Sequence, residues 1–218
     1  MKQVRQYILA LGLLFVTAPL FAQKTVDTLT LSSLHLDRKD SKSFSGRDSS
    51  LVLKIDTLLM GDRSRILFHG KKQVDLYVQH AVIGERVLIR GTDGKNNGTH
   101  INLYIGIQRL GDLTIDAAGE DAMNGTKTYP NGNGGNIHVY YAQSGLKPQN
   151  ASSDLPQYIL MKVEGGGKHV NAQSDVGNIV GRISSGNRPL GQLPQGQVYS
   201  GSPGLSGEAQ MEAIDQIP

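Results

Sequence analysis

The sequence predicts an all-β protein, a short parallel β-solenoid (β-helix) with Gly-rich loops and an extended Gly/Pro-rich C-terminal tail. Three observations support this prediction. Apolar and polar residues alternate over many short runs, the runs recur at a nearly constant spacing, and no long stretch shows helical spacing. Glycine supplies 27 of the 218 residues, well above its usual level of roughly 7%. Alternation with period two places one face of a strand on a core and the other in water.

The chain opens with the features of a secretory signal peptide over residues 1–22. Lys2 and Arg5 precede an apolar run over residues 7–16, and Ala22 is a small residue at the exit. This order is typical of a cleaved leader, and the run is shorter than the roughly 20 residues that span a bilayer. We therefore expect an exported protein without a transmembrane segment after cleavage. Its expected location is periplasmic, outer-membrane-associated or extracellular in a Gram-negative bacterium.

Charge and cysteine content exclude several classes of function. The formal net charge is +3, and it falls to +1 once Lys2 and Arg5 are removed with the leader. A nearly neutral chain is not expected to bind nucleic acid through a broad basic face. The chain has no cysteine, which excludes disulfides, thiolate metal sites and a cysteine nucleophile.

The solenoid domain is predicted over residues 23–183, because its strands form an internal repeat. Segment 53–61 matches segment 76–84 at a shift of 23 residues, and segment 76–84 matches segment 103–111 at a shift of 27. Each unit has the order strand, apolar corner, glycine, second strand and loop. A unit of this length cannot bury its apolar face alone, so successive units must stack.

The alternative fold is a β-sandwich, which also has short strands separated by turns. A sandwich does not require the same residues to recur in register. It also does not require the insertions 92–100 and 117–136 to follow the second strand of their units, as they do here. Solenoids accept insertions as loops on one side, and this favours the solenoid.

The tail is predicted over residues 184–218, where glycines are interleaved with Pro189, Pro194 and Pro203. This composition is typical of extended chain poor in regular structure. Two interpretations are open for residues 207–214: a short helix that presents Met211 and Ile214, or a disordered end.

One group of candidate binding residues lies after the second strand of successive units. It comprises acidic residues and a nearby arginine: Asp93, Asp116, Glu120, Asp121 and Arg90. Two carboxylates at a suitable separation hydrolyse glycosides, and carboxylates beside a basic residue can hold Ca²⁺ and an acidic sugar. The simpler interpretation is that these residues cap turns and keep loops in water. Ca²⁺ in loops 93–97 or 116–124 is a weak prediction, because neither loop has EF-hand spacing.

The second group of candidates is aromatic. Tyr77 and Tyr104 occupy matching positions in neighbouring units, and Tyr140 holds the analogous position after Val139. We expect the three rings to face outward and to stack as a ladder. Such a ladder is a candidate platform for a carbohydrate or a protein. Ordinary cross-strand packing that covers the sheet is the alternative explanation.

A resemblance to a loose bacterial group rests on two segments. These are Leu113-Thr-Ile-Asp-Ala-Ala-Gly119 and Asn131-Gly-Asn-Gly-Gly-Asn-Ile-His-Val139. The chain resembles exported, Gly-rich parallel β-helix surface proteins over roughly residues 50–207 (a span read from the pattern alone). The resemblance implies a parallel β-helix and a surface, adhesive or scaffolding role, and it carries no catalytic motif.

The sequence therefore predicts a non-catalytic structural or interaction protein of the bacterial cell envelope or surface. Its expected partner is an envelope or surface protein, with no cofactor and no nucleic acid. The alternative, from another class, is a polysaccharide-binding or polysaccharide-degrading β-helix protein that uses the Asp93–Asp121 side. No metalloenzyme, phosphate-loop or nucleophile-elbow motif is present in the sequence.

Overall fold

The computed structural model describes residues 27–122, 129–167 and 203–218, and these form two parallel β-sheets. The first sheet contains, in spatial order, β1 (Asp27–Leu36), β3 (Ser50–Met60), β5 (Gln73–Ile83), β7 (His100–Leu110), β9 (Ile137–Ala142) and β11 (Ala209–Ile214). The second sheet contains β2 (Ser41–Ser45), β4 (Arg65–His69), β6 (Val87–Thr92), β8 (Asp112–Asp116) and β10 (Tyr158–Lys162). Each turn of the chain adds one strand to each sheet, so the protein is a short parallel β-solenoid. Among the described residues, no helix is long and apolar enough to cross a membrane.

The strand register confirms the predicted repeat. Leu53 pairs with Leu76 and Leu76 pairs with Leu103, at the predicted shifts of 23 and 27 residues. In the second sheet Ile66 pairs with Ile89, which pairs with Ile115. Every strand pair in the two sheets is parallel, which excludes the antiparallel sandwich.

The core lies between the two sheets and consists of the inward positions of successive strands. Leu76, Ile89 and Ile101 are fully buried and belong to one continuous apolar cluster. A buried leucine or isoleucine side chain contributes about 1.5–3 kcal/mol relative to exposure. Stacking is therefore the main source of stability for rungs that bury little by themselves.

Each long strand of the first sheet turns a corner. Alternation fails where two consecutive residues point outward, at 56–57 in β3, 79–80 in β5 and 108–109 in β7. The register between β5 and β7 shifts at this place, as expected for a β-bulge that bends a strand. Burial resumes at Leu58, Ala81 and Leu110 beyond the corner, so the predicted apolar corner lies inside the long strands.

The end of the solenoid formed by β1 and β2 carries charges at core positions. Asp27 lies in register with buried Leu51, and Lys42 lies in register with buried Ile66. Both line an end cavity of about 260 Å³, together with apolar residues such as Leu29 and Phe44. Inward-pointing charges on an edge strand oppose the addition of another strand, so this end is protected against further stacking.

Glycine-rich segments form a bundle of extended chains on the loop side of the solenoid. Gly132 donates its N–H to Glu120 O (2.9 Å), Gly134 to Leu205 O (2.8 Å), and Gly135 to Ala117 O (2.7 Å). Segment 131–136 therefore bonds to neighbours in more than one direction, whereas a β-strand bonds within one plane. A Cβ on Gly132 would overlap the Asn96 carbonyl. The sequence pattern did not predict this packing.

The C-terminal residues join the solenoid. Residues 207–214 are neither a helix nor a disordered end, because β11 pairs in parallel with β9, with Met211 beside Val139. The apolar alternation of 209–214 is short, and a neighbouring strand edge favours it as a strand. The predicted boundary between domain and tail at residues 183 and 184 lies outside the described residues and stays a prediction.

Gly132→Ala tests the glycine bundle. Because its Cβ meets a backbone carbonyl that cannot move alone, we expect a loss of stability of about 1–3 kcal/mol or more, the usual cost of overpacking. Chemical denaturation followed by circular dichroism measures this loss. The matched control is Gly46→Ala, whose Cβ meets only Lys71 Nζ at 3.3 Å. Equal effects of the two substitutions would contradict the close packing of Gly132.

Candidate functional site

The three predicted tyrosines form a stacked ladder on the outer face of the first sheet. Tyr77, Tyr104 and Tyr140 are paired in register on β5, β7 and β9. The ring centroids of Tyr77 and Tyr104 are 4.6 Å apart with 4° between planes, and those of Tyr104 and Tyr140 are 4.6 Å apart with 11°. All three side chains are half-buried. The predicted geometry of the ladder is confirmed.

Stacking decides which parts of the rings a partner can reach. Lys54 Nζ lies 5.3 Å from the centroid of the Tyr77 ring at one end of the ladder. His138, two residues before Tyr140 on β9, stands edge-on to the Tyr140 ring, with centroids 6.3 Å apart. The ring faces inside the ladder are thus covered by neighbouring rings. The ladder therefore offers a row of phenol hydroxyls on an apolar base.

A polar row runs beside the ladder on the same face. Asp75 accepts hydrogen bonds from Asn102 Nδ2 (2.6 Å) and from Gln73 Nε2 (3.3 Å). Asp75 and Asn102 are paired in register, so the bond links adjacent rungs. This row places a fixed negative charge next to the phenol hydroxyls.

Burial and charge act on the tyrosine hydroxyls. Partial burial is the main cause that raises the pKa of Tyr77, and the Asp75 carboxylate adds to it. Burial also raises the pKa of Tyr104, with further contributions from Tyr77, Tyr140 and Asp75. Both effects oppose a phenolate in this row. The hydroxyls of Tyr77 and Tyr104 are therefore neutral donors and acceptors near neutral pH.

On the loop side, the structure brings three of the predicted residues together. Arg90 Nη2 lies 2.9 Å from Glu120 Oε1, and Arg90 Nε lies 3.8 Å from Asp116 Oδ2. Asp116 Oδ1 also accepts a hydrogen bond from Ala118 N at 3.1 Å. Arg90, on β6, thus links its own turn to the next one by contacting two carboxylates of that turn, one at the end of β8 and one in the extended segment that follows.

Asp93 and Asp121 hold loop backbone and do not join the Arg90 cluster. Asp93 accepts from the backbone N–H groups of Lys95 (2.7 Å) and Asn97 (3.0 Å) and from Asn97 Nδ2 (2.9 Å). Asp121 Oδ1 accepts from Gly167 N at 2.5 Å. These contacts fit the interpretation in which acidic residues cap turns.

The two loops considered for Ca²⁺ differ in how much of them is described. In the 93–97 loop the Asp93 oxygens already accept three hydrogen bonds. Part of the 116–124 loop lies outside the described residues. Within the described parts of the chain, no group of three or more His, Asp or Glu residues is placed to hold a metal ion.

Sequence reasoning missed a cleft at the corner of the long strands. It has a volume of about 440 Å³ and lies where β5 and β7 bend and the C-terminal residues return. The available signal was the failure of alternation at 79–80 in β5 and at 108–109 in β7. Gly106 of β7 lies opposite residues 79–80. The contribution of residues 215–217 carried no such signal, because they come from a distant part of the chain.

Comparisons with known proteins found no relative. No protein-family model matches the chain, no curated protein matches it, and no solved structure matches it. The function is therefore argued from the chain's own residues.

The raised pKa values of Tyr77 and Tyr104 predict an alkaline instability. In the folded state both hydroxyls should titrate above the ordinary value of 10.0. Since the unfolded chain loses these protons first, the stability that they contribute is present below that value and is lost as pH rises through the folded pKa. A titration of phenolate absorbance, with the protein in denaturant as reference, measures the difference. Tyr104→Phe should remove part of the late phase, and a folded titration that coincides with the reference would contradict the prediction.

Proposed function

We propose that this chain is a non-catalytic interaction protein of the bacterial envelope or surface, and that the tyrosine ladder docks a protein partner. The observation that carries the proposal is the in-register stack of Tyr77, Tyr104 and Tyr140 on the outer face of the first sheet. Tyrosine is enriched in protein interfaces and among the residues that dominate binding energy. An export signal is predicted at residues 1–22, and the proposed location depends on it.

The rigidity of the ladder favours a docking role. The middle strands β5 and β7 have a hydrogen-bonded neighbour on each side, and each ring is already stacked on another. Ordering flexible side chains costs about 0.5–1.5 kcal/mol each on binding. Rings that are stacked in the free protein avoid most of that cost, so a modest contact area is sufficient for specific binding.

The contacts of the acidic candidates favour an interaction protein over a glycosidase. A glycosidase uses two carboxyl groups that face the substrate, one of them as a proton donor. Asp116 and Glu120 instead share Arg90. Asp93 and Asp121 accept backbone hydrogen bonds. All four carboxylates therefore already have partners within the protein. A substrate would have to displace these partners before the carboxylates could act on it.

The ladder is tested by replacing Tyr77, Tyr104 and Tyr140 together with threonine, which keeps strand propensity. The tagged protein is used to recover partners from the envelope of the native host in mild detergent. We expect the wild-type chain to retain a stoichiometric protein and the triple variant to lose it. Each lost interface tyrosine costs about 2 kcal/mol at a hot spot, or roughly 30-fold in affinity.

The matched control for the ladder is Tyr158→Thr, which removes a half-buried tyrosine from the second sheet. Thermal unfolding of every variant separates loss of binding from loss of fold. Recovery of the same partner by the triple variant would overturn the proposed surface. Recovery of the wild-type chain without any stoichiometric protein would overturn the proposed function.

A second candidate function is polysaccharide binding or degradation on the loop side. It is favoured by the meeting of Arg90, Asp116 and Glu120, whose side chains are 43%, 19% and 38% exposed. Arginine pairs with carboxylates of acidic sugars in the same geometry as with Asp and Glu. A ligand of this kind would compete with Glu120 for the guanidinium.

The double variant Arg90→Ala/Asp116→Ala tests this second candidate. Because the pair is partly exposed, its loss should cost less than about 1 kcal/mol of stability. Binding to host polysaccharide in affinity electrophoresis, and release of reducing sugar, are the measurements. Loss of either with the fold retained would support the candidate. The control is the neighbouring surface variant Lys95→Ala. If the double variant binds and cleaves polysaccharide as this control does, the second candidate function is wrong.

A further inference from the structure

The corner cleft exists because one strand ends early. β7 continues past the corner to Leu110, whereas β9 ends at Ala142, before that point. The chain then turns away, and Leu146 N donates to Ile107 O at 2.9 Å. Gln143 N donates to Ile214 O at 2.9 Å, which brings the C-terminal residues beside the exposed end of β7. A cleft of about 440 Å³ remains between them, within the range of about 300–1,000 Å³ for small-molecule sites.

Two glycines line the cleft and let backbone segments approach one another closely there. A Cβ on Gly106 would overlap the Gln79 carbonyl and lie 3.3 Å from Ile217 Cδ1. A Cβ on Gly145 would lie 2.7 Å from Ile107 O. The rest of the floor is apolar, formed by Ile107, Ala142 and Ile217. The floor is therefore a small apolar surface made partly of backbone.

The rim of the cleft is polar and carries little charge. Its side chains are three carboxamides, an imidazole, a hydroxyl and one carboxylate, from Gln79, Gln108, Gln216, His80, Ser144 and Asp215. Gln108 Nε2 lies 3.3 Å from His80 Nδ1, so the two side chains contact each other at the rim. Among the described residues that line the cleft there is no lysine or arginine.

We propose that this cleft binds a neutral saccharide unit, a mono- or disaccharide or the end of a longer glycan. A carboxamide offers both donors and an acceptor, which matches hydroxyl groups that are also donors and acceptors. The small apolar floor accommodates the C–H face of a sugar ring. A phosphate, sulfate or uronate is disfavoured, because the described lining of the cleft has a carboxylate and no lysine or arginine to pair with an anion.

This site has a different lining from both surfaces considered above. It adjoins the tyrosine ladder, because Gln79 and Gly106 follow Tyr77 and Tyr104 by two residues on the same strands. Among the described residues that line it are no ladder tyrosine, no Arg90 and none of the acidic partners of Arg90. The proposal therefore does not depend on a protein partner at the ladder. It also differs in ligand charge from the loop-side candidate, which favours an acidic sugar.

The test uses the full mature chain and saturation-transfer difference NMR. The probes are methyl glycosides of glucose, galactose, mannose and N-acetylglucosamine, with glucuronate and inorganic phosphate as anionic probes. We expect at least one neutral glycoside to receive saturation and neither anion to do so. Isothermal titration then gives the affinity of the neutral probe. No signal from any neutral glycoside at millimolar concentration, or a preference for an anion, overturns the proposal.

Variants locate the binding. Gln108→Ala and Asp215→Ala remove rim groups, and each should weaken binding of the neutral glycoside up to about tenfold, as for the loss of one hydrogen bond. Ser144→Tyr fills the cleft from an exposed position and should abolish binding. The control is Arg109→Ala, which neighbours Gln108 but does not line the cleft. Binding that all three cleft variants retain at the affinity of this control overturns the site, and the Tyr77/Tyr104/Tyr140 variant should bind the glycoside normally.

Discussion

The stacking of equivalent inward residues on successive rungs is the constraint on which the rest of the structure depends. Leu53, Leu76 and Leu103 lie over one another because their strands pair in parallel and in register. One rung alone has no interior, so no rung is stable without its neighbours. Because side chains alternate between faces, a fixed inward register also fixes the outward one. The tyrosine ladder is a direct consequence, since Tyr77 and Tyr104 each follow a stacked leucine.

The glycine bundle solves a different problem, which is how to pack extended loops that have no apolar side chains. Gly119, Gly132 and Gly204 approach backbone carbonyls so closely that a Cβ would overlap them. Backbone hydrogen bonds between these segments replace the hydrophobic contacts that hold the sheets. The described loop-side segments are therefore held together by backbone hydrogen bonds and not by apolar packing. Glu120, which pairs with Arg90, lies in one of these segments and donates its N–H to Asn96 O.

The proposed surfaces divide between regular and irregular parts of the solenoid. The ladder lies where the repeat is most regular, and regularity there produces a flat row of similar groups. The cleft lies where the repeat fails, because β9 ends at Ala142 and the neighbouring rung continues. The end with Asp27 and Lys42 at core positions is closed to further stacking. The proposed ladder surface and the proposed cleft therefore lie on the outer face of the first sheet and at its corner, away from this end.

The sequence by itself determined the repeating strands from β3 to β10, their faces, the shifts of 23 and 27 residues and the tyrosine ladder, because alternation and repeat spacing are local properties that stacking preserves. Only the tertiary structure decided which distant segments meet. β11 pairs with residues 72 positions earlier in the chain. Arg90 contacts Glu120 and Asp116, whereas Asp93 and Asp121 accept hydrogen bonds from loop backbone. Residues 215–217 line the cleft together with residues of β5 and β7. No local pattern encodes these contacts, because they depend on which strand edge or backbone group is left unpaired once the rungs have stacked.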